Sequence, residues 1–104
     1  MRGYLRIFLI LWKKYSLEHR DLKFYSGKLF ISTKYLSKVV SAASGRSARS
    51  WICMRVILEA KVLLKEGEMS IQQISDRLNF ANQSFFGTFF KRYAGMSPTD
   101  YKNM

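Results

Sequence analysis

Two short sets of side chains in this sequence have the types and spacing to read the edges of paired bases. In the first, Lys34 and Lys38 stand four residues apart. In the second, Gln83, Ser84, Gly87 and Thr88 recur at helical spacing. Residues three and four apart share a helix face. Lysine suits guanine O6 and N7, glutamine suits adenine N6 and N7, and serine or threonine accept several edges. Gly87 would let backbone come close to a ligand. Ser32 and Asn82 precede the two sets and are good helix caps; the amides at such helix starts can bind phosphate. Arg46, Lys91 and Arg92 lie late in or after these segments, where a cation suits phosphate and adds affinity rather than sequence choice. Singly, each residue also fits an ordinary solvated helix face. Two matching faces favour recognition.

The composition points the same way. The chain has 104 residues and a formal net charge of +11, and residues 1–58 hold 12 of the 18 Lys and Arg but 2 of the 7 Asp and Glu. A strongly basic globular domain suggests a polyanionic partner. Other chemistries find no foothold. Cys53 is the single cysteine and His19 the single histidine. That pair makes neither a usual zinc site nor a nucleophile with its base, so neither an enzyme nor a bound metal or cofactor is expected. Cys53 reads as a small buried thiol and a sign of a reducing compartment; His19, among charged residues, reads as solvated. The apolar run Ile7–Trp12 is too short to span a bilayer, which needs about 20 residues. Lys13-Lys14-Tyr15 after it is not a signal-peptide cleavage site.

The elements that position the two sets follow from apolar spacing. Leu5, Phe8, Leu9, Trp12 and Tyr15 predict an amphipathic helix from Tyr4 to about His19. Asp21 caps a short helix, Leu22–Leu29, in which Gly27 leaves room for a neighbour. Ser32 caps a third helix, Thr33 to about Ala43, with Tyr35, Leu36, Val39 and Val40 inward and Gly45 at its end. From Ala48 to Lys65 runs a central helix apolar nearly all round, so it must be covered on more than one side. Ser70 and Gln73 form a capping box for a fifth helix ending near Asn79, with Ile71, Ile74 and Leu78 inward. Asn82 caps a sixth, Gln83 to about Tyr93, whose stripe is Phe85, Phe86, Phe89 and Phe90. Stacking on bases is another use for four phenylalanines, but their helical spacing favours a core. Ser97-Pro98 opens a last short helix, with Tyr101 folding back on the sixth.

The flanks of the central helix resemble each other. A shift of 50 residues brings Phe24 onto Ile74, Phe30 onto Phe80, Leu36 onto Phe86, Val40 onto Phe90, Gly45 onto Gly95, Ser47 onto Ser97 and Trp51 onto Tyr101. This reads as two copies of one unit: a short helix, a turn of about three residues, then a helix with a polar outer face. It is the helix-turn-helix pattern, in which the second helix enters the major groove. The expected fold is all-α, about seven helices in a single domain over 1–104. Its first helix-turn-helix spans about 21–45, the joining helix about 47–66 and the second helix-turn-helix about 70–95. The joining helix, about 27 Å long at 1.5 Å per residue, would hold the two reading helices roughly one DNA turn apart.

Over Ser70–Tyr101, SIQQISDRLNFANQSFFGTFFKRYAGMSPTDY, the sequence resembles the DNA-binding domain of the AraC/XylS family of bacterial transcription regulators. Ile74, Leu78-Asn79-Phe80, Ser84-Phe85-Phe86, Phe89-Phe90-Lys91, Gly95 and Ser97-Pro98 stand at the signature positions. The likeness continues upstream through Leu58–Leu64, Trp51, Gly45 and Tyr35-Leu36-Ser37, about 80 residues in all. Phe24-Tyr25 before Ser26 and the run at 82–86 are similar to Bacteroidetes regulators. Ser75 stands where the family usually has Ala, and Asn79 where it has Gly; Asn tolerates the left-handed backbone of a helix end.

The resemblance implies sequence-specific binding to double-stranded promoter DNA in the cytoplasm, usually to activate transcription through RNA polymerase. Carried over by position, it places base contacts on Lys34, Ser37 and Lys38, and on Gln83, Ser84, Gly87 and Thr88. Ser32, Arg46, Asn82, Lys91 and Arg92 remain for phosphate. Most members carry a sensing or dimerisation domain ahead of this one; the chain is either a piece of such a regulator or similar to a smaller stand-alone member. The competing readings are a repressor or architectural protein, a non-specific basic DNA-binding protein, and a protein-interaction module.

Overall fold

The computed structural model describes residues 2–104, with Arg2 by its backbone only. Among them the regular structure is helical: α1 (Arg2–Tyr15), α2 (Leu22–Leu29), α3 (Thr33–Ser44), α4 (Ala48–Glu66), α5 (Ile71–Arg77), α6 (Gln83–Ala94) and α7 (Pro98–Lys102). The chain divides into two compact units, residues 1–55 and 56–104, with the boundary inside α4.

In the first unit α1 packs on α2 and α3. Phe8, Tyr25, Leu29, Leu36, Val40, Ala48 and Ile52 form its core. Trp12 and Trp51 meet edge to face at 5.2 Å, and the Trp12 indole N–H donates to the Trp51 carbonyl at 2.6 Å. The Trp51 indole N–H in turn donates to Ser44 Oγ at 3.0 Å, so both half-buried tryptophans pack against the core with their donors satisfied.

α1 stops at Tyr15 rather than near His19, and His19 is not simply solvated. Its ring lies flat on Phe24, 3.8 Å between centroids and 3° from parallel. The Tyr25 hydroxyl donates to the His19 carbonyl at 2.6 Å, taking an acceptor that a longer helix would use. Tyr25 is fully buried, and burial raises its phenol above the ordinary value, while a side-chain hydrogen bond to Ser16 acts in the opposite sense. Gly27 makes no close helix approach, since a Cβ built there meets nothing within 4 Å.

In the second unit α5 packs on α6, and α6 on α7. Val56, Ala60, Leu64, Ile74, Leu78, Phe86 and Phe90 are buried. Phe80 bridges Phe86 at 5.3 Å and Phe89 at 5.1 Å, and Tyr101 folds back on Phe90 at 5.7 Å. Lys61 and Lys65 hold their ammonium groups 5.5 and 4.8 Å from the Tyr101 ring, within cation–π range. The capping box forms as its spacing requires: Ser70 Oγ accepts from the Gln73 amide, and Gln73 Oε1 from the Ser70 amide. Along α4, Leu58 and Val62 stay exposed, so that helix is covered around most but not all of its circumference.

The repeat is real but its register is not constant. The turn after α2 has Phe30 in the left-handed region (φ 57°), and the Ile31 amide donates to the Ser26 carbonyl. The turn after α5 has Asn79 left-handed (φ 65°), and the Phe80 amide donates to the Ser75 carbonyl. The first helices and their turns therefore match at a shift of 49: Asp21 with Ser70, Tyr25 with Ile74, Ser26 with Ser75, Leu29 with Leu78, Phe30 with Asn79. The second helices match at 50: Ser32 with Asn82, Leu36 with Phe86, Val40 with Phe90. Ala81 is the extra residue, so the second turn is one longer than the first. The uniform 50-residue pairing of Phe24 with Ile74 and Phe30 with Phe80 is thereby corrected: Phe30 is exposed on the turn, and Phe80 packs as Ile31 does.

Candidate nucleic-acid interface

Each second helix begins the same way. Ser32 Oγ accepts from the Tyr35 amide at 3.0 Å, and Asn82 Oδ1 accepts from the Phe85 amide at 2.9 Å. Each cap takes up the third amide of its helix and leaves the first two without an intrahelical acceptor, as at any helix start. Each helix ends on a left-handed glycine, Gly45 or Gly95, whose amide donates to the carbonyl of Ser41 or Lys91. Hydrophobic burial then sets the rotation. Leu36, Val39 and Val40 turn α3 inward, and Phe86 and Phe90 turn α6 inward.

That rotation carries the sequence-selected residues outward. Lys34 and Lys38 are exposed on α3 with Ser37 half-buried between them; Gln83, Ser84 and Thr88 are exposed on α6 with Gly87 half-buried. A Cβ added at Gly87 would meet nothing within 4 Å, so its outer side is open. The three α3 residues share one helix face, and so do the four of α6. Lys91 and Arg92 are exposed in the last turn of α6, with the Arg92 guanidinium 5.7 Å from the Tyr93 ring. Arg46 differs from a free cation. Its Nη1 lies 2.9 Å from Met54 Sδ and its guanidinium lies 5.6 Å from the Trp51 ring, so it is tethered to the start of α4.

Two residues of these helices depart from what their spacing predicts. Tyr35 and Phe85 belong to the expected inward stripes, yet they are 40% and 62% exposed. Both directly precede a fully buried residue of their helix, Leu36 or Phe86, and so lie about 100° away from it. Val39, four residues after Tyr35, is fully buried and Phe89, four after Phe85, is half-buried, so apolar spacing does not separate the two rings from the inward stripe; packing does.

Among the described residues no group of three or more His, Cys, Asp or Glu comes together to hold a metal ion. No helix among them is long and apolar enough to cross a membrane.

Paired helices of this kind, a left-handed turn between them and an exposed polar first turn on the second, define the helix-turn-helix class. A family model described as a helix-turn-helix domain matches residues 25–104. The chain belongs to the AraC/XylS family of DNA-binding helix-turn-helix regulators. It is 30% identical over 87 residues to the HTH-type transcriptional regulator ExsA of Pseudomonas aeruginosa, covering 84% of this chain and 31% of that one. The chain spans less than a third of the length of the curated relatives it matches. The C-terminal domain of AraT, a response regulator from Geobacillus stearothermophilus, superposes with a TM-score of 0.86 at 26% identity, over 96% of this chain and 84% of that one. The DNA-binding domain of the global transcriptional factor AdpA, solved with a target DNA, superposes with a TM-score of 0.82 at 19% identity, over 95% and 89% of the two chains, a likeness of fold.

Proposed function

We propose that residues 1–104 act as one DNA-binding domain of a transcription activator, reading two successive major-groove segments of promoter duplex with α3 and α6. The observation that supports this most is the duplicated helix start: a capped second helix, behind a left-handed turn, with polar side chains exposed on its first turns in both units. Lys34, Ser37 and Lys38 read bases from α3; Gln83, Ser84, Gly87 and Thr88 read them from α6. The free amides beside Ser32 and Asn82, with Lys91 and Arg92, take phosphate. Arg46 contributes through the guanidinium donors that Met54 leaves open. RNA polymerase is the partner through which activation would run, and the cytoplasm is where the domain would meet both.

Selection of bound duplexes from a random library tests this, with affinity then followed across salt. Two short blocks about one turn apart, and affinity falling as salt rises, are expected. Lys38→Ala should relax preference in one block and Gln83→Ala in the other, each costing on the order of 1–3 kcal/mol. A single block would leave one unit as scaffold. Salt-sensitive binding without a motif would make the protein a non-specific basic binder. Full activity of both variants would favour a protein-interaction module, and lowered promoter output would indicate a repressor.

A further inference from the structure

We infer that Phe85 makes α6 a thymine reader, its ring resting on the C5-methyl group of a thymine in the major groove. This rests on the proposed DNA reading and adds a residue that neither apolar periodicity nor motif spacing assigned to it.

A single exposed apolar side chain on a protein surface is ordinary. Phe85 is distinguished by where it stands. Residues 81–85 are all exposed, and they bring the chain into the first turn of α6, the part of such a helix that reaches base edges. Its neighbours there, Asn82, Gln83 and Ser84, are polar. Phe85 alone presents a large apolar surface, 62% exposed, while its backbone amide is fixed by the Asn82 cap at 2.9 Å. Among the described residues its ring enters none of the aromatic contacts that tie Phe80, Phe86, Phe89 and Phe90 together. A well-anchored backbone with an uncommitted ring is a preorganised apolar probe.

The major groove offers one apolar feature on its base edges, the methyl group of thymine, and a phenylalanine contact is one of the pairings that recognises it. Thr88 lies three residues on, on the same strip of helix, and adds a methyl group of its own. Gln83 suits the adenine edge. Gln83 stands about 200° from Phe85 around α6 and would meet a different base pair, so the methyl contact is carried by Phe85 with Thr88 beside it. The equivalent ring of the first unit is not free in this way. Tyr35 is less exposed, and it is held edge-on by Tyr4 of α1 with centroids 5.8 Å apart. Methyl reading is accordingly assigned to α6 and not to α3.

The test uses the 104-residue chain and a duplex taken from the library selection, with each thymine replaced singly by deoxyuridine, which lacks the methyl group. The unaltered protein should lose about fourfold in affinity at one or two thymines of the block read by the second unit, the worth of burying one methyl. Phe85→Ala should bind more weakly and be indifferent to deoxyuridine at those positions. Tyr35→Ala should keep the full deoxyuridine loss. Phe85→Leu, a smaller apolar side chain, should keep part of it, and circular dichroism should show both Phe85 variants as helical as the parent. The inference is overturned if Phe85→Ala keeps the parent's deoxyuridine loss, or if no deoxyuridine weakens a duplex that the protein otherwise prefers. It is equally overturned if Phe85→Ala binds DNA unchanged and loses only promoter activation, which would make the ring a protein contact. Absence of any duplex preference would instead remove the DNA-reading function on which this inference stands.

Discussion

The two helix-turn-helix units solve one geometric problem with different chemistry. Each must stop its first helix with a left-handed residue and start its second with a cap. The second unit uses Asn79 for the stop, a side chain that tolerates the left-handed region. The first uses Phe30, a residue 94% exposed whose Cβ is strained there. The buried serines differ as well. Ser26 Oγ donates to the Lys23 carbonyl at 3.3 Å, whereas Ser75 Oγ is buried with no hydrogen-bond partner. The first unit thus carries its misfit on the exposed turn and the second carries it on the buried side of α5. Charge is divided as unevenly, since most of the net +11 lies in the first 58 residues. Duplication of a frame does not require duplication of side chains: the backbone hydrogen bonds are held in common, and the surface chemistry is free to diverge.

Truncation at the matched core positions should give the largest effects. Leu36→Ala and Phe86→Ala remove fully buried side chains, and each should cost about 3–5 kcal/mol in urea unfolding. Amide exchange would sharpen the comparison. Leu36→Ala should lower protection most in α2 and α3, and Phe86→Ala most in α5 and α6. Equal loss everywhere would show that the two units open as one.

Relief of the two misfits should give smaller changes of opposite sign to the core variants. Phe30→Asn places a tolerant residue in the left-handed position and loses no buried surface, so a gain of about 1 kcal/mol is expected. Ser75→Ala removes an unsatisfied buried hydroxyl and should gain about 1 kcal/mol, whereas Ser26→Ala loses a made hydrogen bond and should be neutral or slightly destabilising. Thermal unfolding of the three variants checks the set. A destabilised Ser75→Ala would mean that its hydroxyl is satisfied in solution.

The smallest effect concerns pH. Tyr25 has Ile74 as its counterpart, so only the first unit carries a buried phenol at this place. Burial raises its pKa above the ordinary 10.0. The folded chain then holds the proton where the unfolded chain has released it. That contribution to stability is fully present below about pH 10 and is lost as pH rises through the folded value. Alkaline denaturation should begin in α1 and α2, and Tyr25→Phe should shift it to higher pH while weakening the unit at pH 7.

Much of this molecule could be read from its residues. The six helices after α1 begin where Asp21, Ser32, Ser47, Ser70, Asn82 and Ser97 cap them, because a cap is a local hydrogen bond made within three residues. Gly45 and Gly95 mark helix ends for a similarly local steric reason. The outward set Lys34, Lys38, Gln83, Ser84 and Thr88 also followed from spacing, since polar residues opposite an apolar stripe have only one way to face. What the tertiary structure decided was longer in range. The end of α1 depends on Phe24 and Tyr25 reaching back to His19. The slip of register at Ala81 depends on which side chain fills the space beneath each turn, Ile31 in one and Phe80 in the other. The exposure of Phe85 depends on how α6 is rotated once Phe86 and Phe90 have found their partners. Spacing marks a residue as apolar along a helix; only packing against neighbours distant in the chain determines whether its surface is buried or left to meet a ligand.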